Sequence, residues 1–157
     1  MAIRQVKEVN RSVSYPIASG NVIGGNLLML NASQQLLLWD HTLTTGQPFG
    51  LAIESNVFFP LQPANGEVAG QGFDYTNFNR GGLESVYNNG GDFVLFNDGR
   101  GYPYDQTATY AVNQPVYASA VTDGLITSDP TSTIVVGYVV SYDVATAPTS
   151  LEIKSVI

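Results

Sequence analysis

Outside residues 1–11, no stretch of ten residues keeps the 3.6-residue apolar period that a packed helix needs. Short apolar runs instead alternate with Gly, Pro, Asn and Asp. That punctuation is the grammar of strands and turns. Strands are expected at Ser12–Ile17, Leu27–Leu30, Leu36–Trp39, Phe49–Ile53, Thr109–Val112, Pro115–Ser119, Ile134–Tyr142 and Ser150–Val156. Pro16 confines the first of these to an edge or a strand end, because its nitrogen cannot donate to a ladder. Leu27–Leu30 and Leu36–Trp39, separated by Asn31–Gln35, read as two strands joined by a turn. In the last segment Leu151 and Ile153 alternate with Glu152 and Lys154, as a strand with one wet face requires. A chain of 157 residues built this way is expected to be all-β, a single small β-barrel or β-sandwich. Its core is large enough to need no disulfide or metal staple.

The clearest local signal is the pair Leu83–Tyr87 and Asp92–Phe96 flanking Asn88-Asn-Gly-Gly91. It predicts a β-hairpin, since Asn and Gly accept the positive φ of tight turns. A second turn, Asn97–Gly101, leads into Tyr102-Pro-Tyr104, so a meander is expected there. Residues 57–82 differ in kind. Pro60, Pro63, Gly66, Gly70, Gly72 and Gly81-Gly82 break regular structure, while Phe58, Phe59, Phe73, Tyr75 and Phe78 persist. A loop of this length is functional or disordered as a rule, and its aromatics argue against disorder. Two outcomes stay open: packing on the chain's own core, or burial of the aromatics by another subunit or a ligand.

Charge sets the first residues apart. Arg4, Lys7 and Arg11 against Glu8 give residues 1–11 a charge of +2, which leaves −9 for residues 12–157 of a chain whose net charge is −7. The plain expectation is a short solvated terminus. The sharper one is an extended arm that docks on an acidic neighbour through Ile3, Val6, Val9 and Val13, steered by its cations. The chain thus divides into an arm, 1–11, and one β domain, 12–157. The basic start is not followed by the apolar core of a signal peptide, and the longest apolar run, Ile134–Val140, is far too short to span a membrane. A soluble product of the cytoplasm with no membrane partner is expected.

Composition also narrows the chemistry. Six Lys+Arg against thirteen Asp+Glu speak against nucleic acid, whose binders need clustered cations. With no cysteine there is no thiolate metal site and no thiol nucleophile, and His41 is the only imidazole. Its neighbour Asp40 is badly placed to orient it, because adjacent side chains on a strand point to opposite faces. His41 is therefore expected to be an exposed turn residue after Trp39. No Gly-x-Ser-x-Gly elbow and no phosphate-binding Gly-rich loop occurs. The carboxylates sit in turn-like contexts such as Asp98, Asp123, Asp129 and Asp143, where Asp bonds its own backbone. A catalytic, metal or cofactor site is not expected, and the chain reads as a non-enzyme.

Several segments of the second half resemble a known family. Gln114-Pro-Val-Tyr-Ala-Ser119, then Asp123-Gly-Leu-Ile-Thr127, then Val136-Gly-Tyr-Val-Val140 and the closing Leu151-Glu-Ile-Lys154 are similar to strands and turns of the decoration, or cement, proteins of tailed-bacteriophage heads. Phe49-Gly-Leu-Ala-Ile53 resembles an earlier strand of the same family. The resemblance implies a small β protein added to the outer surface of the expanded capsid, made in the host cytoplasm. It implies binding to the major capsid protein, often as a homotrimer, with an amino-terminal arm on the shell. On that reading Ile3, Arg4, Val6, Lys7, Val9 and Arg11 contact the shell, while Phe73, Tyr75, Phe78 and Arg80 form contacts between subunits. Two other expectations compete. One Trp and nine Tyr suit a carbohydrate-binding module, with Trp39 or Tyr75 as the stacking platform, and a tail or baseplate accessory would share every sequence feature.

Overall fold

A computed structural model describes residues 3–5, 12–18, 21–53, 83–97, 99–144 and 149–157, and its regular elements are all β-strands. They form two antiparallel sheets packed as a sandwich, not a closed barrel. Sheet A contains β1 (Ile3–Gln5), β7 (Gly91–Phe96), β11 (Ser150–Ser155), β10 (Val135–Asp143), β8 (Pro115–Ala118) and β9 (Ile126–Thr127), in that spatial order. Sheet B runs β2 (Ser12–Pro16), β6 (Leu83–Tyr87), β5 (Gly50–Ala52), β3 (Leu27–Leu30) and β4 (Leu36–Leu38). The outer edges of β4 and β9 are each met by a single bridge, Ile17 on Leu36 and Tyr104 on Ile126. Short, bridged edges of this kind discourage pairing with other chains.

The two sheets bury their residues differently, and the sequence shows why. In β10, β11, β7 and β8 buried residues alternate with more exposed ones, so sheet A has one dry and one wet face. Sheet B carries unbroken apolar runs, Leu-Leu-Met-Leu in β3 and Leu-Leu-Leu in β4. Consecutive Leu27 and Leu28 point to opposite faces, yet both are fully buried. Leu27 and Leu51 join the core between the sheets with Phe93, Leu95, Val116, Val136, Leu151 and Ile153. Leu28, Leu36, Ala52 and Val86 form a second cluster with Val22. The central strands β3 and β5 are therefore packed on both sides, whereas Ser14 and Pro16 of the β2 edge are exposed.

Several expectations are corrected. Leu83–Tyr87 and Asp92–Phe96 do not form a hairpin or start a meander. β6 pairs with β2 and β5 in sheet B, and β7 pairs with β1 and β11 in sheet A. Gly90 (φ 71°) and Gly91 (φ 125°) supply the turn that was read from the sequence, but the turn carries the chain across the sandwich. Thr109–Val112 is not a strand. Tyr110 lies 8% exposed, edge-on to Tyr104 at 5.8 Å, and its hydroxyl donates to the Asp105 carbonyl at 2.7 Å. That buried ring holds a loop against the core instead of a ladder.

The amino-terminal expectation changes too. Ile3, assigned to shell contact, is fully buried in the core between the sheets, and β1 pairs with β7 in the register Ile3–Leu95, Arg4–Val94, Gln5–Phe93. A β-branched apolar residue beside a sheet edge gains more by completing its own core than by waiting in solvent. Val6, Lys7, Val9 and Arg11 lie outside the described residues, as do Phe73, Tyr75, Phe78 and Arg80 and the whole 57–82 loop.

Two substitutions test this packing. Ile3→Ala should lower unfolding stability by about 2–5 kcal/mol, the usual cost of emptying a core aliphatic site, in a chemical denaturation series. A merely solvated terminus would show no change. At Gly137, β10 passes so close to β11 that a Cβ would meet the Lys154 carbonyl oxygen at 2.5 Å. Gly137→Ala should therefore cost about 1–3 kcal/mol by the same assay.

Candidate functional site

Two surfaces offer chemistry or contact. The first is where the turn after β4 meets the turn between β8 and β9. Asp123 Oδ1 accepts the main-chain N–H of His41 at 2.9 Å and lies 2.6 Å from His41 Nδ1. A carboxylate can only accept, so Nδ1 carries the proton. Asp40 folds back on its own turn, its Oδ1 accepting Thr42 N–H at 2.8 Å and Thr42 Oγ1–H at 2.7 Å. Asp105 with Thr107 and Asp129 with Thr131 repeat this Asp-x-Thr turn, which is the local bonding expected of loop aspartates. The main-chain and then the side-chain hydrogen bond from His41 hold the Asp123 carboxyl below its ordinary range. The Thr42 hydroxyl and N–H do the same for Asp40.

Asp40, His41 and Asp123 place one donor atom each within 4.8 Å of one another, so these three residues could hold a metal ion. Sequence reasoning dismissed Asp40 as a partner for His41 and missed the true one, because 82 residues separate His41 from Asp123. As catalytic machinery the group is incomplete among the described residues. A triad needs a hydroxyl on the far imidazole nitrogen, whereas the adjacent Thr42 hydroxyl is committed to Asp40. Its evident work is to tie two turns together.

The second surface is the wet face of sheet A. Register places Lys154 of β11 opposite Asp92 of β7 and Tyr138 of β10, and Glu152 opposite Val94 and Ser141. Ser141 Oγ–H donates to Glu152 Oε2 at 3.2 Å. Around these polar groups Tyr138 is 44% exposed, Val140 39% and Val156 47%. Tyr138 and Val140, two apart on β10, face the same way by ordinary alternation, and the β10–β11 register shift between Val139 and Ser141 brings Ser141 to that face as well. The sequence places a strand at Ile134–Tyr142 but does not say which of its apolar residues face solvent.

Of the residues assigned from sequence, Arg4 is placed by its pairing with Val94, on the β7 strand that borders this face. Trp39 is 4% exposed and belongs to the core, which removes it as a sugar-stacking platform. No protein-family model, curated protein or solved structure matches this chain.

The Asp123 tie makes stability depend on pH. A carboxyl whose folded-state pKa is depressed stabilises the fold above its unfolded pKa, and that contribution is lost as pH falls through the folded value. Asp123→Asn should therefore cost about 1 kcal/mol or less at neutral pH, since the pair is half-exposed. The difference from wild type should shrink to nothing as acid titrates the carboxylates. Thermal melts across that range measure it, and a difference that persists in acid would show that the charge contributes nothing.

Proposed function

We propose that this chain is a virion structural protein that binds the outer surface of an assembled phage capsid, as a homotrimer, and bridges neighbouring major capsid proteins without catalysing a reaction. One observation carries the reading. Four of the five segments that resemble phage decoration proteins are β8, the stretch leading into β9, β10 and β11, which lie side by side in one sheet, while the fifth, Phe49–Ile53, contains β5 of the other. The outward side of that sheet presents Tyr138, Val140 and Val156 to solvent around Lys154. Apolar side chains grouped on an otherwise polar face favour contact with another protein. The central strands of the other sheet, β3 and β5, carry buried residues on both sides, which leaves less of that sheet for contact.

The mechanism is linkage. A protein that binds only the assembled lattice, across subunit boundaries, stabilises that lattice by its own binding free energy. A trimer adds avidity, because three weak contacts on one body must be lost together. In this arrangement β1 serves to complete the sandwich, and sheet A supplies the contact.

Particles purified from a lysate containing the chain should carry it at a fixed ratio to the shell protein. Tyr138→Asp combined with Val140→Asp should lower that ratio by about tenfold or more while the circular dichroism stays that of a β protein, because charge on the apolar rim of an interface is costly. Native mass measurement of the free chain should give three copies. Recovery only in the particle-free fraction would overturn the proposal.

A further inference from the structure

We propose that the Asn89–Gly90 bond is a site of spontaneous deamidation, and that the seating of Ile157 sets its rate. Asn89 is exposed at the corner where the chain leaves sheet B for sheet A, and it is the Asn-Gly pair among the described residues. A following glycine has no Cβ to obstruct its own nitrogen, and both Gly90 and Gly91 hold positive φ there. That nitrogen is engaged. The Gly90 N–H donates to the main-chain oxygen of Ile157 at 2.9 Å. Ile157 is itself 6% exposed, within the core cluster, and Ser155 Oγ bonds both its N–H and its main-chain oxygen at 3.2 Å.

The chemistry needs only water. Gly90 N–H gives its proton to hydroxide or a buffer base, and the nitrogen attacks Cγ of Asn89. A new N–Cγ bond closes a five-membered ring, the Cγ–Nδ2 bond breaks, and Nδ2 leaves as ammonia after taking a proton from water. A second water opens the resulting succinimide at either carbonyl, leaving aspartate or isoaspartate at position 89. No redox step occurs. While the Gly90 N–H is held by Ile157, the nitrogen can neither lose its proton nor turn toward Cγ. Deamidation therefore passes through the same local opening that exposes this amide to solvent exchange. Isoaspartate lengthens the main chain by one methylene at the corner, so Gly90 no longer meets Ile157 in register, and the loosening of the last strand is one-way.

The inference is independent of the virion proposal and is tested on the full chain. Native and denaturant-unfolded protein are incubated in mildly alkaline buffer. Peptide mapping follows aspartate and isoaspartate at position 89, and hydrogen exchange follows the Gly90 amide. The factor by which folding slows deamidation should match the exchange protection of Gly90 to within about tenfold. Ser155→Ala should speed both together by roughly five- to tenfold, the effect of losing one ordinary hydrogen bond. Deamidation as fast in the native as in the unfolded chain, with Gly90 still protected, would overturn the proposal. So would faster exchange in Ser155→Ala without faster deamidation, or no product at position 89 in the unfolded chain. If Ser155→Ala fails to fold, the native-to-unfolded comparison decides alone.

Discussion

The two sheets are held in register by main-chain hydrogen bonds that converge on one residue, Gly124, in the turn between β8 and β9. Its carbonyl accepts Leu27 N–H at 2.8 Å and Asn26 Nδ2–H at 3.2 Å, and its N–H donates to Trp39 at 2.9 Å. Trp39 N–H in turn donates to Leu27 at 2.9 Å. A turn of sheet A is thereby bonded to both strands of the β3–β4 hairpin of sheet B. Buried backbone groups must find partners, so neither sheet can slide without orphaning several at once. Asn26 is 5% exposed, and its Oδ1 accepts Ile23 N–H at 2.8 Å, so the one buried amide at the joint is satisfied from both ends.

The Asp123–His41 contact lies directly beside this joint, which gives it a physical meaning other than catalysis. Gly124 and Trp39 are bonded through the backbone, and the adjacent Asp123 takes the main-chain N–H and the ring Nδ1–H of His41, two residues after Trp39. Polar groups on the rim thus extend this hydrogen-bonded joint outward into solvent. The contact is half-exposed, so the core supplies most of the stability and the charged pair refines the geometry of the two turns.

Burial also decides which surface is left for contact. The central strands of sheet B pack on both faces, and the outer edges of β4 in sheet B and β9 in sheet A are each met by a bridge, which leaves the outward side of sheet A as a broad sheet face in solvent among the described residues. On this view the proposed attachment to a shell uses the sheet formed by the chain's second half. The first strand, expected to reach outward, instead closes the core through Ile3.

Much of the fold was legible because it is written in local chemistry. The segment breaks at Gly, Pro and Asn, the alternation in Ser150–Ser155, and the β3–β4 turn at Asn31–Gln35 all follow from the preferences of neighbouring residues. What local chemistry cannot specify is which strand a turn delivers its chain to. Asn88–Gly91 suits a hairpin and a sheet-crossing corner equally well, and only the pairing of β7 with β1 and β11 selects the corner. The encounter of His41 with Asp123 and the capture of Ile3 by the core were hidden for the same reason. The sequence by itself determined that strands form, where most of them break, and that only 12% of the residues are charged. The tertiary structure alone decided their partners, because strand pairing is won by contacts between residues far apart in the chain, whose burial no local pattern encodes.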